Sequence, residues 1–328
     1  MIDQEIRGLF QKANKVGLTS HKRPDGDAIG SVLGLGLALI NAGKDVQMVL
    51  RDGVSHTFRH LPGSDLVKRS FKDDCDLYIV LDCSDLERTG NTLEGRRIDL
   101  VIDHHITNEG FGTYNLVDAE AVATCAILAE RLPAWGLNIN PQVASVLLSG
   151  IISDSIGFRT SNTTSKSLRT AADLMDIGAD ISTLYNKALI SRSFEAANYW
   201  GYGLERLTRQ DGLLWTMLTL EDRTKAKYPG SDDADLTNVL SSIEEIDIAV
   251  LFVEQSQDKV KVSWRARPGL NVAKLAADFN GGGHPAAAGA EIQGNMEEVK
   301  QRVLTVTRDY LDQVEIDSPN SSEASRTE

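Results

Sequence analysis

Cysteine is scarce in this chain of 328 residues: Cys75, Cys83 and Cys125 stand far apart, and no C-x-x-C pair occurs. An odd, sparse set argues against a disulfide frame or a zinc knuckle and fits reduced, mostly buried thiols in a cytoplasm. Long apolar runs are also missing; none reaches the roughly 18 residues that a membrane-spanning helix needs. The N-terminus, MIDQEIRGLF, carries acids where a signal peptide would have its apolar core. The expectation is a cytoplasmic protein with no membrane partner. Basic charge is in deficit, with 34 Lys and Arg against 47 Asp and Glu, a formal net charge of −13. A protein that coats long nucleic acid needs a basic track, so this balance argues against that class. It leaves room for a small anionic substrate, because bound divalent cations reverse the sign of charge locally.

What is present is ordinary for a globular protein, with 41% hydrophobic and 25% charged residues, and the length suggests two domains, each with its own core. In the first half, short apolar runs of strand length alternate with helical patterns. VGLTSH (16–21), DVQMVL (45–50), LYIVLD (77–82) and IDLVID (98–103) read as strands, and AIGSVLGLGLALINAG (28–43) as a helix closed by Gly43. This alternation predicts a mostly parallel sheet with helices on its faces. Gly30, Gly34 and Gly36 suggest close packing of that helix on the sheet; Leu39 stands where a dinucleotide fingerprint needs its third glycine. Residues 121–178 are mainly helical, including PQVASVLLSGIISD, which ends at Asp154. Phe194, Ala197, Trp200, Leu204 and Leu207 then recur at helical spacing as packing residues. GLLWTMLTL, a hairpin turning through QSQD, the short helix NVAKLAADF, the stretch GGGHPAAAGAEI and a last helix to about Leu311 complete a smaller α/β domain.

Polar residues able to do chemistry follow the strand-like runs. His21, Asp25 and Asp27 lie in HKRPDGDAIGS, Asp82 ends the third run, and Asp103-His104-His105 ends the fourth. Ligands of open parallel sheets bind outside the carboxyl ends of the strands, so three stretches converge on one edge. Asp27 capping the next helix would account for its carboxylate without a metal. Combined, however, His21, Asp25, Asp27, Asp82, His104 and Asp154 form a carboxylate-rich set without a thiolate. Such a set suits hard or borderline cations, manganese before zinc, with magnesium or iron as alternatives. Six ligands are too many for one ion that keeps an open position; they suit two ions about 3.5–4 Å apart, with Asp82 as bridge, serving in-line attack on phosphorus. Cys83 reads as a small buried residue, His56 and His60 as surface or packing histidines, and Ser153 and Ser155 as either supports of Asp154 or solvated groups. GGGHPAAAG offers backbone N–H groups and His284 to an anion, with Arg265 and Arg267 just before it; a helix cap followed by a strand is the bland alternative. Arg159 is a further phosphate candidate.

HKRPDGDAIGS, LDCSD, DHH at 103–105, SDS and GGGHPAAAG, in that order, resemble the motifs of the DHH phosphoesterase family and its associated C-terminal domain, over nearly the whole chain. The compact two-domain layout is similar to the nano-RNase and pAp-phosphatase-like group. The resemblance implies two manganese ions on His21, Asp25, Asp27, Asp82, His104 and Asp154. It implies that His105 faces the substrate phosphate, with Asp103 supporting the cluster and Asp82 bridging. Arg265, Gly282, Gly283 and His284 would bind the nucleotide end across an inter-domain cleft. Ser155 departs from the threonine usual after the fourth-motif aspartate.

The expected layout is an α/β catalytic domain at 1–188, a linking helix at 189–210, a substrate-binding domain at 211–314 and a disordered acidic tail at 315–328. The expected activity is metal-dependent hydrolysis of RNA dimers to tetramers to mononucleotides, and dephosphorylation of pAp. A phosphodiesterase for cyclic dinucleotides or their linear products is the enzymatic alternative; a non-catalytic nucleotide- or RNA-binding module is the alternative of another class. A homodimer is left open.

Overall fold

A five-stranded, all-parallel sheet organises the first part of the chain in a computed structural model, which describes residues 2–317. The elements are α1 (Ile2–Lys12), β1 (Lys15–Thr19), α2 (Gly26–Asn41), β2 (Asp45–Val49), β3 (Leu77–Leu81), β4 (Leu100–Asp103), β5 (Tyr114–Val117), α3 (Thr124–Arg131), α4 (Pro141–Asp154), α5 (Ser165–Ile177) and α6 (Ile181–Tyr185). The strand order β2-β1-β3-β4-β5 reverses direction between β1 and β3. Loops leaving neighbouring strands at such a switch point diverge and open a crevice at the carboxyl edge. His21 follows β1 and Asp82 follows β3, so both stand at that point. The inner strands are buried throughout, as continuous apolar runs require. β5, an edge strand with three half-buried residues and an exposed Val117, carries no such signal and escapes the sequence reading.

α2 is buried along almost its whole length. Asp25, not Asp27, caps it, accepting the N–H groups of Asp27 and Ala28 at 3.0 Å each. Asp27 is thereby turned inward. The glycines of α2 divide their contacts: a Cβ on Gly36 would strike Met48 on the sheet, while Gly30 and Gly34 lie against α4. The expected packing on the sheet thus holds for one of the three, and the tighter approach is helix to helix. Gly150 is its counterpart in α4; a Cβ there would lie 2.3 Å from Cys125 Sγ and 3.1 Å from Asp27 Oδ1.

The chain divides into two units at Ser191/Arg192. The second holds α7 (Phe194–Glu205), β6 (Thr208–Gln210), β7 (Leu213–Leu218), α8 (Leu220–Ala226), α9 (Leu236–Leu240), β8 (Ile248–Ser256), β9 (Lys259–Ala266), α10 (Val272–Ala277), β10 (Gly282–His284), β11 (Ala287–Gln293) and α11 (Met296–Asp317). Its sheet, ordered β10-β11-β9-β8-β7-β6, is antiparallel except between β7 and β8. Val260, Val262 and Trp264 pack on one face with Val299 and Val303 of α11. Ala249, Leu251 and Val253 pack on the other with Tyr199 of α7 and Leu236 and Leu240 of α9.

Two sequence expectations hold only in part. Trp200 and Leu207 pack half-buried as expected, but Phe194, Ala197 and Leu204 are exposed and α7 buries Ala196, Tyr199 and Gly203 instead. The face is set by Tyr199 stacking on Tyr228 and by the close approach of Leu236 to Gly203, neither visible in the spacing of large apolar residues. The last helix continues to Asp317, so residues 315–317 are helical rather than part of a disordered tail; the remainder of the expected tail lies outside the described residues. No helix among the described residues is long and apolar enough to cross a membrane.

Overpacking at Gly150 should be felt at Asp27 as well as in the core. Gly150→Ala is expected to lower stability by about 1–3 kcal/mol, read as a lower urea midpoint at an unchanged slope. An unchanged midpoint would mean that the α2–α4 approach is not a constraint.

Candidate metal centre

His21 lies two residues beyond β1, and its Nδ1 sits 2.9 Å from the Lys22 carbonyl, which fixes the proton on that nitrogen. Nε2 is then a lone pair, and it is buried without a hydrogen-bond partner. It lies 3.7 Å from Asp82 Oδ2 and 3.8 Å from Asp25 Oδ2. His104 likewise has its Nδ1 against a backbone carbonyl, that of Ala121 at 3.3 Å. Its Nε2 lies 3.6 Å from Asp82 Oδ1, 3.9 Å from Asp27 Oδ2 and 3.6 Å from Asp154 Oδ2. Asp82 thus turns one oxygen towards His21 and Asp25 and the other towards His104. Its backbone adopts φ of 52°, a left-handed conformation that a non-glycine residue seldom takes, and it is 1% exposed.

The donors form three groups whose ligating atoms lie within 4.8 Å of one another: His21, Asp25 and Asp82; Asp27, His104 and Asp154; and Asp82, His104 and His105. All six residues expected to hold metal are therefore together. A buried imidazole lone pair facing only carboxylates leaves its acceptor unmatched unless a cation lies between. The donor set fits one or two hard divalent ions.

Electrostatics point the same way. Burial pushes Asp154 up to about 7, and Asp25 and Asp82 add to the shift while His104 opposes it. Burial, Asp82 and Asp154 raise Asp27 well above the carboxylate range. Burial opposes the charged form of His104, but Asp154, Asp82, Asp27 and Asp103 outweigh it and raise the imidazole to about 9. Asp82 is held low despite burial by the nearby imidazoles, His21 first, then His104 and His105. Protons are the only cations these carboxylates have without a metal.

Several supporting contacts escaped the sequence reading. Asp27 accepts the backbone N–H groups of Thr124 (2.6 Å) and Cys125 (2.9 Å) at the start of α3, which lacks a side-chain cap of its own. Thr124 Oγ1 donates to Asp82 Oδ1 at 3.1 Å. Asp103 accepts from the His104 N–H (2.8 Å), His105 Nδ1 (2.7 Å) and Asn108 Nδ2 (2.7 Å), and the Asn108 amide also reaches the Cys83 carbonyl at 3.0 Å. Asn108 follows Asp103 by five residues; only the loop that returns it makes it part of the site. His105, with Nδ1 on Asp103, presents Nε2 elsewhere. Ser155 is structural, its hydroxyl donating to the Ile151 carbonyl and accepting the Phe158 N–H. Cys83 is buried, its Sγ on the Asp85 carbonyl, its thiol raised by burial to about 12. Arg159 is exposed, and no hydrogen bond or ion pair among the described residues fixes its guanidinium.

In the second unit His284 opposes Ala287, and Ala287 opposes Arg265. Opposed residues share a face, so Arg265 and His284 stand on one side of the sheet, about 10 Å apart across two strand spacings. Gly281 and Gly283 are required by the hairpin itself: a Cβ would meet the Gly289 carbonyl at 2.3 Å and the Ala287 carbonyl at 2.5 Å. Gly282 meets nothing, which leaves its backbone open to a ligand.

A parallel sheet with an imidazole–carboxylate cluster at its switch point and an appended mixed-sheet unit defines a class. The sequence profile of the DHH family, N-terminal domain, matches residues 15–151, and that of the DHHA1 domain matches 225–313. The chain belongs to the DHH family. It is 30% identical over 305 residues to a protein of Thermus thermophilus named bifunctional oligoribonuclease and PAP phosphatase NrnA, covering 90% of this chain and 89% of that one. It is 30% identical over 171 residues, 50% of this chain and 55% of the relative, to a protein of Exiguobacterium named probable manganese-dependent inorganic pyrophosphatase. A crystal structure of an exopolyphosphatase-related protein from Bacteroides fragilis superposes with a TM-score of 0.86 at 25% identity, covering 95% of each chain.

The raised groups set a pH dependence for the metal-free protein. Asp154 moves from an ordinary value near 4 to about 7 and His104 from about 6.5 to about 9 on folding. The folded state therefore binds more protons, and stability falls as pH rises from about 4 to about 9. Divalent metal competes with those protons, so its stabilisation should grow over the same interval. Melting temperatures in EDTA and in Mn2+ between pH 5 and 9 test this; a metal-induced gain as large at pH 5.5 as at pH 8 would contradict it.

Proposed function

We propose that the chain is a divalent-metal-dependent phosphoesterase that hydrolyses short oligoribonucleotides to mononucleotides and removes the 3′-phosphate of pAp. The observation that carries this reading is Asp82, whose two oxygens face two separate imidazole–carboxylate groups. That arrangement supports two ions, one on His21, Asp25 and Asp82 and one on Asp27, Asp82, His104 and Asp154. Manganese is favoured by the donor chemistry and by the name of the pyrophosphatase relative. The substrates are those named for the Thermus relative, which matches over both parts of the chain.

Bound divalent ions supply charge neutralisation at phosphorus and a more acidic water. The chain's own residues do the rest. Asp103 accepts the His105 Nδ1–H and orients the ring, so that in the imidazolium form its Nε2–H donates to a phosphate oxygen in the transition state. Thr124 and the start of α3 orient the Asp82 and Asp27 carboxylates. In the second unit, Arg265, Gly282, Gly283 and His284 bind the nucleotide end, and Arg159 is a further phosphate contact. Net charge of −13 favours short substrates, since a long strand meets repulsion beyond the few cationic groups.

Two measurements test the reading. Asp82→Asn, with its fold intact by circular dichroism, should lower kcat by more than about 100-fold, beyond the 10- to 100-fold typical of an outer-shell change. With Mn2+, RNAs of two to four nucleotides and pAp should be consumed far faster than a 20-mer, with mononucleotides as products. Comparable rates on the 20-mer, or internal cleavage, would count against it; a clear preference for pGpG or a cyclic dinucleotide would favour the dinucleotide phosphodiesterase reading.

A further inference from the structure

Arg88 lies in the short turn Glu87–Thr89 after β3, six residues beyond Asp82. Its N–H donates to Asp85 Oδ1 at 2.8 Å, and its carbonyl accepts the Lys22 N–H at 2.7 Å. One residue thus ties together the loops that carry Asp82 and His21. Its guanidinium is half-buried, yet it forms no ion pair with a carboxylate among the described residues, and its one hydrogen bond is a long 3.4 Å contact to Ser84 Oγ. Of the acids nearby in sequence, Glu87 is exposed and forms no ion pair with Arg88 among the described residues, and Asp85 is occupied by the Ser84 hydroxyl and the Arg88 backbone. Arg51 stands on the same corner, its Nη1 on the Gly90 carbonyl at 2.7 Å, likewise without a carboxylate partner among the described residues.

In a chain with this excess of acids, two arginines without ion pairs at one corner call for an explanation. A fixed cation beside proposed metal ligands repels the metal, so it does not serve metal binding. It becomes favourable only when an anion enters and meets both.

We propose that Arg88 binds a non-bridging oxygen of the substrate phosphate on the His21 side of the centre, with Arg51 reinforcing the positive corner. This rests on the phosphoesterase reading. The backbone bonds of Arg88 pre-organise the side chain, which limits the ordering cost when the phosphate arrives. A guanidinium at that position forms charge-assisted hydrogen bonds to phosphate that a neutral amide cannot match.

The test is titration calorimetry of the full chain with Mn2+ alone, then of the Mn2+-loaded protein with inorganic phosphate. Arg88→Gln should bind Mn2+ as tightly as wild type or more tightly, and bind phosphate at least about tenfold more weakly. Arg88→Lys, which keeps the charge and the backbone bonds, should lie between them. A structural role would move the other way, lowering the melting temperature and Mn2+ affinity together, and would overturn the assignment. Equal phosphate affinity in wild type and Arg88→Gln would overturn it too, leaving the phosphoesterase reading intact. Wild-type protein that binds Mn2+ but no phosphate would remove both.

Discussion

Mutual repulsion among buried carboxylates is the constraint around which the first unit is arranged. Asp27 and Asp82 are buried, and Asp154 lies with them around His104. Such a cluster is tolerable only if every oxygen meets a donor or a cation. The fold supplies donors in two ways, while imidazoles from the β1 and β4 loops place their Nε2 atoms 3.7 and 3.6 Å from the two oxygens of Asp82. The uncapped start of α3 meets Asp27 with two N–H groups, so that a carboxylate from a distant helix does the work of a cap. The Thr124 hydroxyl takes up one oxygen of Asp82. The contacts that hold the ligands still are therefore also those that satisfy the ends of secondary structure.

This dependence explains the tightness of the α2–α4 contact. Asp27 stands in the first turn of α2, and Cys125 next to it is wedged between Gly30 and Gly150. If either glycine carried a side chain, α3 would have to withdraw, and Asp27 would lose the backbone donors that receive it. Core packing and site geometry are thus one problem here, solved by small residues where three helices meet.

The chemistry was more legible in the sequence than its support. Residues at strand ends are found by apolar runs followed by Asp or His, so His21, Asp82, Asp103 and His104 could be named in advance, and the parallel α/β character with them. Motif order then pointed to the family. What stayed hidden depends on contacts that spacing cannot carry. Asp25 and Asp27 are both suited to capping, and only the turn geometry decides that Asp25 caps while Asp27 enters the cluster. Asn108 is an ordinary loop residue until its amide spans Asp103 and the Cys83 carbonyl. On α7, large side chains marked the packed face only in part, Trp200 and Leu207 but not Phe194 or Leu204, because a glycine and a stacked tyrosine determine which side packs. Of GGGH, two glycines belong to the hairpin, a requirement that appears only once β10 is seen against β11.

The distribution of cationic side chains divides the chemical work. In the first unit the six ligand candidates carry four carboxylates and no Lys or Arg, so attraction for a phosphate there depends on bound metal and on the few arginines along the rim. In the second unit the register brings Arg265 and His284 to one face of a sheet that has no carboxylate–imidazole cluster among the described residues. Arg265 is itself costly to maintain: burial opposes its charge, and Asp233 and Asp235 favour it. Its Nη1 donates to the Trp264 carbonyl at 3.0 Å, and such a tethered guanidinium loses little side-chain freedom when an anion reaches it. The carboxylate–imidazole cluster and the cationic face can thus vary separately, because different strands in different sheets carry them. That separation suits a chain whose relatives include one named bifunctional oligoribonuclease and PAP phosphatase and another named probable manganese-dependent inorganic pyrophosphatase.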